Sequence, residues 1–327
     1  MSAEQLLRGL RLSSRLSIWQ KIMRVLISVR KLIAAAALLA SHTASSALEL
    51  LVPAYFYPSS NPSLSYWDEL TAAAATGVKV TAIINPDNGV GAAANSDYVA
   101  AVNTFRAAGG KVLGYAYTCY GGALCSSGLP ATKTITDLVA EAAKYANWYG
   151  VDGLFLDEMS NQLGNLPYYT TLAAQLRSAH STWQLVGNPG TSTPVEYLAA
   201  ADTLVTFEGG SASYTGASTQ PWMSTANPSR QAHLHYNVST AAQMQTLLNE
   251  AVARRAGYLY ITDDRYVPGD TTATNPWDSL PSYWAEEVAA VKAANVVSAV
   301  PEPSTYALML LGAATLWVRS RKIAKRC

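Results

Sequence analysis

Two carboxylates define the chemistry open to this chain. Asp157 closes the apolar run GLFLD, Glu158 follows it directly, and Glu208 closes TLVTFE. A carboxyl pair is what glycosidic cleavage requires. One carboxylic acid protonates the leaving oxygen, and the other attacks the anomeric carbon or activates water there. The acid then has a raised pKa while its partner stays ionised. The competing reading is structural, because acids at strand ends also cap the next helix or pair with arginine. Gly209 and Gly210 allow a tight turn after Glu208 and leave space beside it. The expected roles are Asp157 as nucleophile and Glu208 as acid/base. Glu158 would orient one of them or bind a substrate nitrogen.

Aromatic and amide residues supply the contacts such a site needs. Tyr55, Tyr57, Tyr117 and Trp222 occupy strand-end or loop positions, where rings can stack on sugars. Asn85, Asn188, His235 and Asp263 lie at other strand ends and complete the expected substrate-binding set. The remaining tryptophans read as packing. His233 and His235 fall on one face of a strand by alternation, and with Asp263 or Asp264 they could hold a metal. That makes a metal-dependent polysaccharide deacetylase a second alternative, although no metal and no cofactor are expected. Cys119 and Cys125 bracket CYGGALC, and an exported chain would join them as a disulfide. No G-x-S-x-G elbow, P-loop or dinucleotide fingerprint is present.

These residues need elements that bring them together. Short β-rich runs alternate with Ala-rich helical ones. The strands are expected at 49–56, 78–84, 112–117, 152–157, 184–188, 203–207, 232–236 and 257–262. Helical runs are expected at Trp67–Thr76, Ser96–Ala108, Thr136–Tyr149, Tyr168–His180, Thr193–Ala200, Thr240–Ala253 and Ser282–Ala294. Eight β-α units predict a single-domain α/β fold, the (β/α)8 TIM barrel. An open doubly wound sheet is the runner-up, but the first strand leads into YPSSNP rather than a Gly-rich phosphate loop. In a barrel, chemistry sits at the C-terminal strand ends. Those ends read Tyr55, Tyr57, Asn85, Tyr115, Tyr117, Asp157, Glu158, Asn188, Glu208, His235, Asp263 and Asp264. The opposite ends carry ordinary residues.

Charge separates the body from both termini. The chain has 327 residues, 23 Lys/Arg and 22 Asp/Glu, for a formal net charge of +1. Seven of the bases and one acid lie in 1–32, and five bases and one acid in 301–327. The body therefore holds 11 bases against 20 acids, about −9. Nucleic-acid binding would need a basic footprint that this body lacks. A hydrophobic content of 50% excludes a disordered chain. Residues 1–47 read as a signal peptide: a basic leader, the apolar run LIAAAALLA and a small-residue exit. That leaves 48–297 as the barrel domain and 298–327 as a tail. In the tail, PEP precedes a short apolar stretch at Tyr306–Val318 and a basic end, which predicts transient membrane association.

The tail closely resembles the PEP-CTERM sorting signal. That resemblance implies exosortase-type handling in a Gram-negative bacterium, with export to the cell envelope, surface or extracellular matrix. The body carries a second likeness. LLVPAYFYPS, VTAIINPDNGVG, GYAYT, YGVDGLFLDEM, LVGNPGT and TFEG follow in order. The series resembles the spherulin-4 family, grouped with glycoside hydrolase family 135. The resemblance implies a (β/α)8 barrel that hydrolyses α-1,4-linked galactosamine exopolysaccharide internally. The family's acidic positions fall on Asp157, Glu158 and Glu208. An idle barrel that only binds polysaccharide at the surface or in the matrix is the first alternative.

Overall fold

Alternation of β-branched and helix-forming runs resolves, in a computed structural model, into eight strands and six long helices among the described residues. The structure describes residues 47–58, 66–122, 125 and 132–299. The expected leader, short of its last residue, and the tail from 300 onward lie outside the described residues. Strands β1 (Glu49–Ala54), β2 (Val80–Ile84), β3 (Lys111–Tyr117) and β4 (Gly153–Asp157) are followed by β5 (Gln184–Gly187), β6 (Thr203–Gly210), β7 (Gln231–Tyr236) and β8 (Tyr258–Ile261). They pair in sequence order, all parallel, and β8 returns to β1 to close the barrel. The fold is a (β/α)8 barrel, and all eight expected strands are present.

Helices α1 (Tyr66–Ala75), α2 (Ser96–Ala107), α3 (Ile135–Tyr149), α4 (Leu166–Ala179), α5 (Ala241–Ala253) and α6 (Trp284–Ala299) lie on the outside. Their starts follow local chemistry. Asn95 caps α2 by accepting from the Asp97 and Tyr98 amides. Thr134 and Asp137 cap α3 reciprocally, which satisfies amide donors that a helix start leaves unpaired. One expected helix is absent: Thr193–Ala200 forms only a 3-10 turn at Val195–Ala199. Between β6 and β7 there are likewise only short turns. Among the described residues, no helix is long and apolar enough to cross a membrane.

The main core fills the barrel and the layer beneath the helices. A smaller core of Met159, Tyr169, Tyr197, Leu204, Trp222 and Met223 sits under the loops that leave β4 to β6. One glycine is required by a close approach. A Cβ on Gly114 would lie 2.6 Å from the Tyr145 ring. Without it, that ring lies against β3 and its hydroxyl donates to Tyr115 O at 2.7 Å.

Candidate active site

The C-terminal ends of β3 to β6 converge on one constellation. Asp157 is the last residue of β4, Asn188 follows β5, and Glu208 lies near the end of β6. Asn188 Nδ2 donates to Asp157 Oδ1 at 2.8 Å and to Glu208 Oε2 at 2.6 Å. The two acceptor oxygens are therefore no more than about 5.4 Å apart. Asn188 is oriented for this by the turn after it, because its Oδ1 accepts from Gly190 N at 2.9 Å. Gly190 has φ 65°, where a side chain would be strained, and its carbonyl accepts from Glu208 N at 3.1 Å.

Different surroundings act on the two acids. Tyr115 Oη donates to Asp157 Oδ2 at 2.8 Å. The Glu158 amide and Asn188 donate to the same carboxylate. Burial raises the Asp157 pKa, and these three donors, which favour the charged form, oppose the rise. Glu208 has Asn188 as its only opposing donor, and burial followed by the charge of Asp157 pushes it up to about 7. Tyr55 stands edge-on to Tyr115, with ring centroids 5.5 Å apart. Burial, then the charge of Asp157, keeps its phenol un-ionised.

Glu158 has φ 50°, a left-handed conformation uncommon for a residue with a side chain. Its carbonyl accepts from Thr118 Oγ1 at 2.9 Å and Tyr120 N at 2.8 Å. Its carboxylate lies within 4.8 Å of the sulfurs of Cys119 and Cys125, which are joined in a disulfide.

Several expected contacts take other places. Trp222 is not at the cleft: its Nε1 donates to Thr193 O at 2.8 Å inside the smaller core, where folding of the β6–β7 segment buries it. His235 is also not a sugar contact. In β7 it is Leu234 that pairs with Glu208, so His233 and His235 share the opposite face of the strand. His235 packs against Phe207 and Tyr214, at centroid distances of 4.9 and 4.5 Å. His233 shares a hydrogen bond of 2.7 Å with the Tyr214 hydroxyl. Burial and then the charge of Arg254 push His233 down to about 3, and burial, then His233 and Arg254, push His235 down to about 3.

Asp263 accepts from Ser282 and Asp264 from Ser279, so both acids tie down the segment between β8 and α6. They line a cavity of about 970 Å³ whose lining does not include Asp157, Asn188 or Glu208. The His-Asp metal set is therefore not assembled. Among the described residues, His, Cys, Asp and Glu gather in a potential ligand group only at Cys119, Cys125 and Glu158. There the disulfide has consumed both thiols.

Asn85 Oδ1 accepts from Gly89 N at 2.7 Å and so shapes its own loop. Lys133 Nζ covers the Tyr117 ring at 3.7 Å. Tyr57 is on the rim, 53% exposed, with its hydroxyl donating to Asp97 at 2.6 Å. Sequence reasoning passed over Tyr115 in favour of Tyr117. Each residue of a strand rises about 3.3 Å, so the long phenol of Tyr115 reaches the level of Asp157 from two residues below. That reach was the available signal.

Fold and site together define a (β/α)8 barrel with a bridged carboxylate pair at the C-terminal strand ends. The model of the spherulation-specific family 4 matches residues 49–291, and the chain belongs to that family. Spherulin-4 of Physarum polycephalum is 32% identical over 263 residues, covering 77% of this chain and 73% of that protein. The crystal structure of Aspergillus clavatus Sph3 in complex with GalNAc shares the fold, with a TM-score of 0.60 and 21% identity. The match covers 76% of this chain and 99% of Sph3. Residues 299–322 match the PEP-CTERM protein-sorting motif. That motif implies exosortase-type sorting and export to the cell envelope or surface.

Proposed function

We propose that this protein is an exported, retaining, endo-acting glycoside hydrolase for an amino-sugar exopolysaccharide, with α-1,4-galactosamine-type linkages as the substrate. The observation that carries the reading is the Asn188 bridge. It brings two carboxylates of unlike environment within about 5.4 Å. Retaining enzymes separate their carboxyls by about 5–5.5 Å and inverting ones by about 6.5–9.5 Å, so this upper limit lies below the inverting range.

The roles follow from the environments. Glu208, raised to about 7, is protonated below neutrality and donates its proton to the glycosidic oxygen. Asp157 attacks the anomeric carbon, the glycosidic bond breaks, and a glycosyl ester forms on Asp157 while the leaving chain departs as an alcohol. Glu208, now a carboxylate, takes a proton from water, whose oxygen displaces Asp157 and restores both groups. An acidic body of about −9 concentrates a polymer bearing free amino groups near the mouth. The GalNAc bound to Sph3 supports an amino-sugar substrate. The sorting motif supports placement at the envelope, surface or matrix of a Gram-negative bacterium, with membrane association through the tail.

Incubation of the purified protein with de-N-acetylated galactosaminogalactan and with chitosan tests the reading. Mass spectrometry of shorter oligosaccharides, and NMR showing an initial α-anomer, are the expected results. Chelator-sensitive acetate release without shortening would point to a deacetylase. Binding without products would leave a polysaccharide-binding barrel.

A further inference from the structure

Directly after β3 and Thr118, four successive residues adopt left-handed backbone conformations. The φ values are 49° at Cys119, 51° at Tyr120, 99° at Gly121 and 82° at Gly122. Glycine enters this region freely, and the last two positions are glycine. Cys119 is committed to its disulfide with Cys125. Among the described residues, Tyr120 shows no comparable commitment. It is 42% exposed. Among the described residues its hydroxyl has no hydrogen-bond partner, and its ring stacks on no other ring. Non-glycine residues in left-handed backbone cluster at active sites and ligand clamps.

The backbone of Tyr120 is firmly held. Its amide donates to Glu158 O at 2.8 Å, and its carbonyl accepts from Asn165 Nδ2 at 3.0 Å. The disulfide fixes the preceding residue. Glu158 is itself left-handed and adjoins Asp157. The Tyr120 backbone is thus one hydrogen bond away from Glu158, the chain neighbour of Asp157, and it carries an exposed ring. Other exposed large apolar side chains, Tyr57, Leu163, Val195 and Tyr266, also stand on segments after strand C-termini. Of these, Tyr120 alone is non-glycine at positive φ.

We infer that Tyr120 is a substrate-binding platform, a ring on which one amino-sugar unit of the polysaccharide stacks beside the unit held at Asp157. An aromatic face suits the apolar face of a pyranose, and its quadrupole attracts the ammonium of a de-N-acetylated unit. This inference rests on the hydrolase reading above, and it adds a subsite that neither the carboxylate pair nor its bridge provides.

The test compares Tyr120→Ala, Tyr120→Phe and Tyr120→Gly with the parent protein on de-N-acetylated galactosaminogalactan. In Tyr120→Ala, KM rises about tenfold while kcat changes by less than about twofold. Tyr120→Phe keeps the parent KM, because the ring and not the hydroxyl does the binding. Tyr120→Gly raises KM as alanine does without lowering Tm. An unchanged KM in Tyr120→Ala, or a loss confined to kcat, overturns the platform. Affinity electrophoresis in gels containing the polymer decides the matter without turnover. In a slow Glu208→Gln background, adding Tyr120→Ala should weaken retardation by about tenfold in apparent affinity, and unchanged retardation overturns the platform. Absence of cleavage by the parent protein overturns the hydrolase reading and leaves that gel to decide the platform.

Discussion

Asp157 and Glu208 share a single amide: Nδ2 of Asn188 donates to one carboxylate at 2.8 Å and to the other at 2.6 Å. Both contacts favour the ionised carboxylates and lower both pKa values. Asn188→Ala removes them together. A hydrogen bond to a charged group contributes about 2 kcal/mol, so kcat/KM should fall roughly 30-fold. Both limbs of the pH–rate profile should also move to higher pH, which kinetics between pH 4 and 9 will show.

In the proposed mechanism, activity should fall as pH rises through about 7, where Glu208 loses its proton. Glu208→Gln should remove that alkaline limb and lower kcat/KM on the natural linkage by about 10²–10⁴-fold. A substrate whose leaving group needs no protonation should recover most of the loss. An unaltered alkaline limb in Glu208→Gln would disprove the acid assignment.

The same residue links pH to stability. Its folded pKa, about 7, lies above the ordinary glutamate value of 4.5. Its stabilising contribution is therefore complete below pH 4.5 and is lost as pH rises through 7. Glu208→Gln should be more stable than the parent at pH 8, by on the order of 2–3 kcal/mol, and indistinguishable from it at pH 4. Calorimetric Tm at the two pH values measures this.

Tyr115→Phe deletes one of three donors that oppose the burial of Asp157. The Asp157 pKa should rise, so the acidic limb of the profile moves upward and kcat/KM falls about tenfold. Gly114→Ala should disturb the same contact from behind. Its Cβ would meet the Tyr145 ring, whose hydroxyl fixes the Tyr115 carbonyl. Overpacking of this kind costs about 1–3 kcal/mol, measurable by denaturant unfolding.

Reducing the Cys119–Cys125 disulfide frees a short loop, with partners six residues apart in sequence. Closing a loop of that size constrains the unfolded chain by about 2–3 kcal/mol. A lower Tm in dithiothreitol is expected, with no such change in Cys119→Ser/Cys125→Ser.

Strand ends told much about the site, because a barrel converts position along a strand into height at the mouth. Asp157, Asn188 and Glu208 could be chosen on that basis, as could all eight strands. Height, however, does not give the face. A register irregularity between Val205 and Phe207 accompanies the pairing of Leu234, rather than His235, with Glu208. His235 stands at the right level and on the wrong side. Trp222 is misplaced for another reason: its segment folds back onto Tyr169 and Tyr197 and has no periodicity to read. Side-chain length matters as well, since the hydrogen bond to Asp157 comes from Tyr115, two residues below Tyr117 in β3. Asn188 was visible as a polar strand end, but its service to two acids at once depends on the Gly190 turn.

β5 and β6 share only two register positions, Val186 with Thr203 and Gly187 with Leu204. This thin seam joins the strand that leads to Asn188 to the strand that carries Glu208, one strand over from β4 and Asp157. Any opening of this seam would change the gap between the two carboxylates that Asn188 bridges. Asn188, together with the contact from Glu208 N to Gly190 O, acts as a clasp across the slit. Amide-exchange rates along β5 and β6 should report how often this clasp opens.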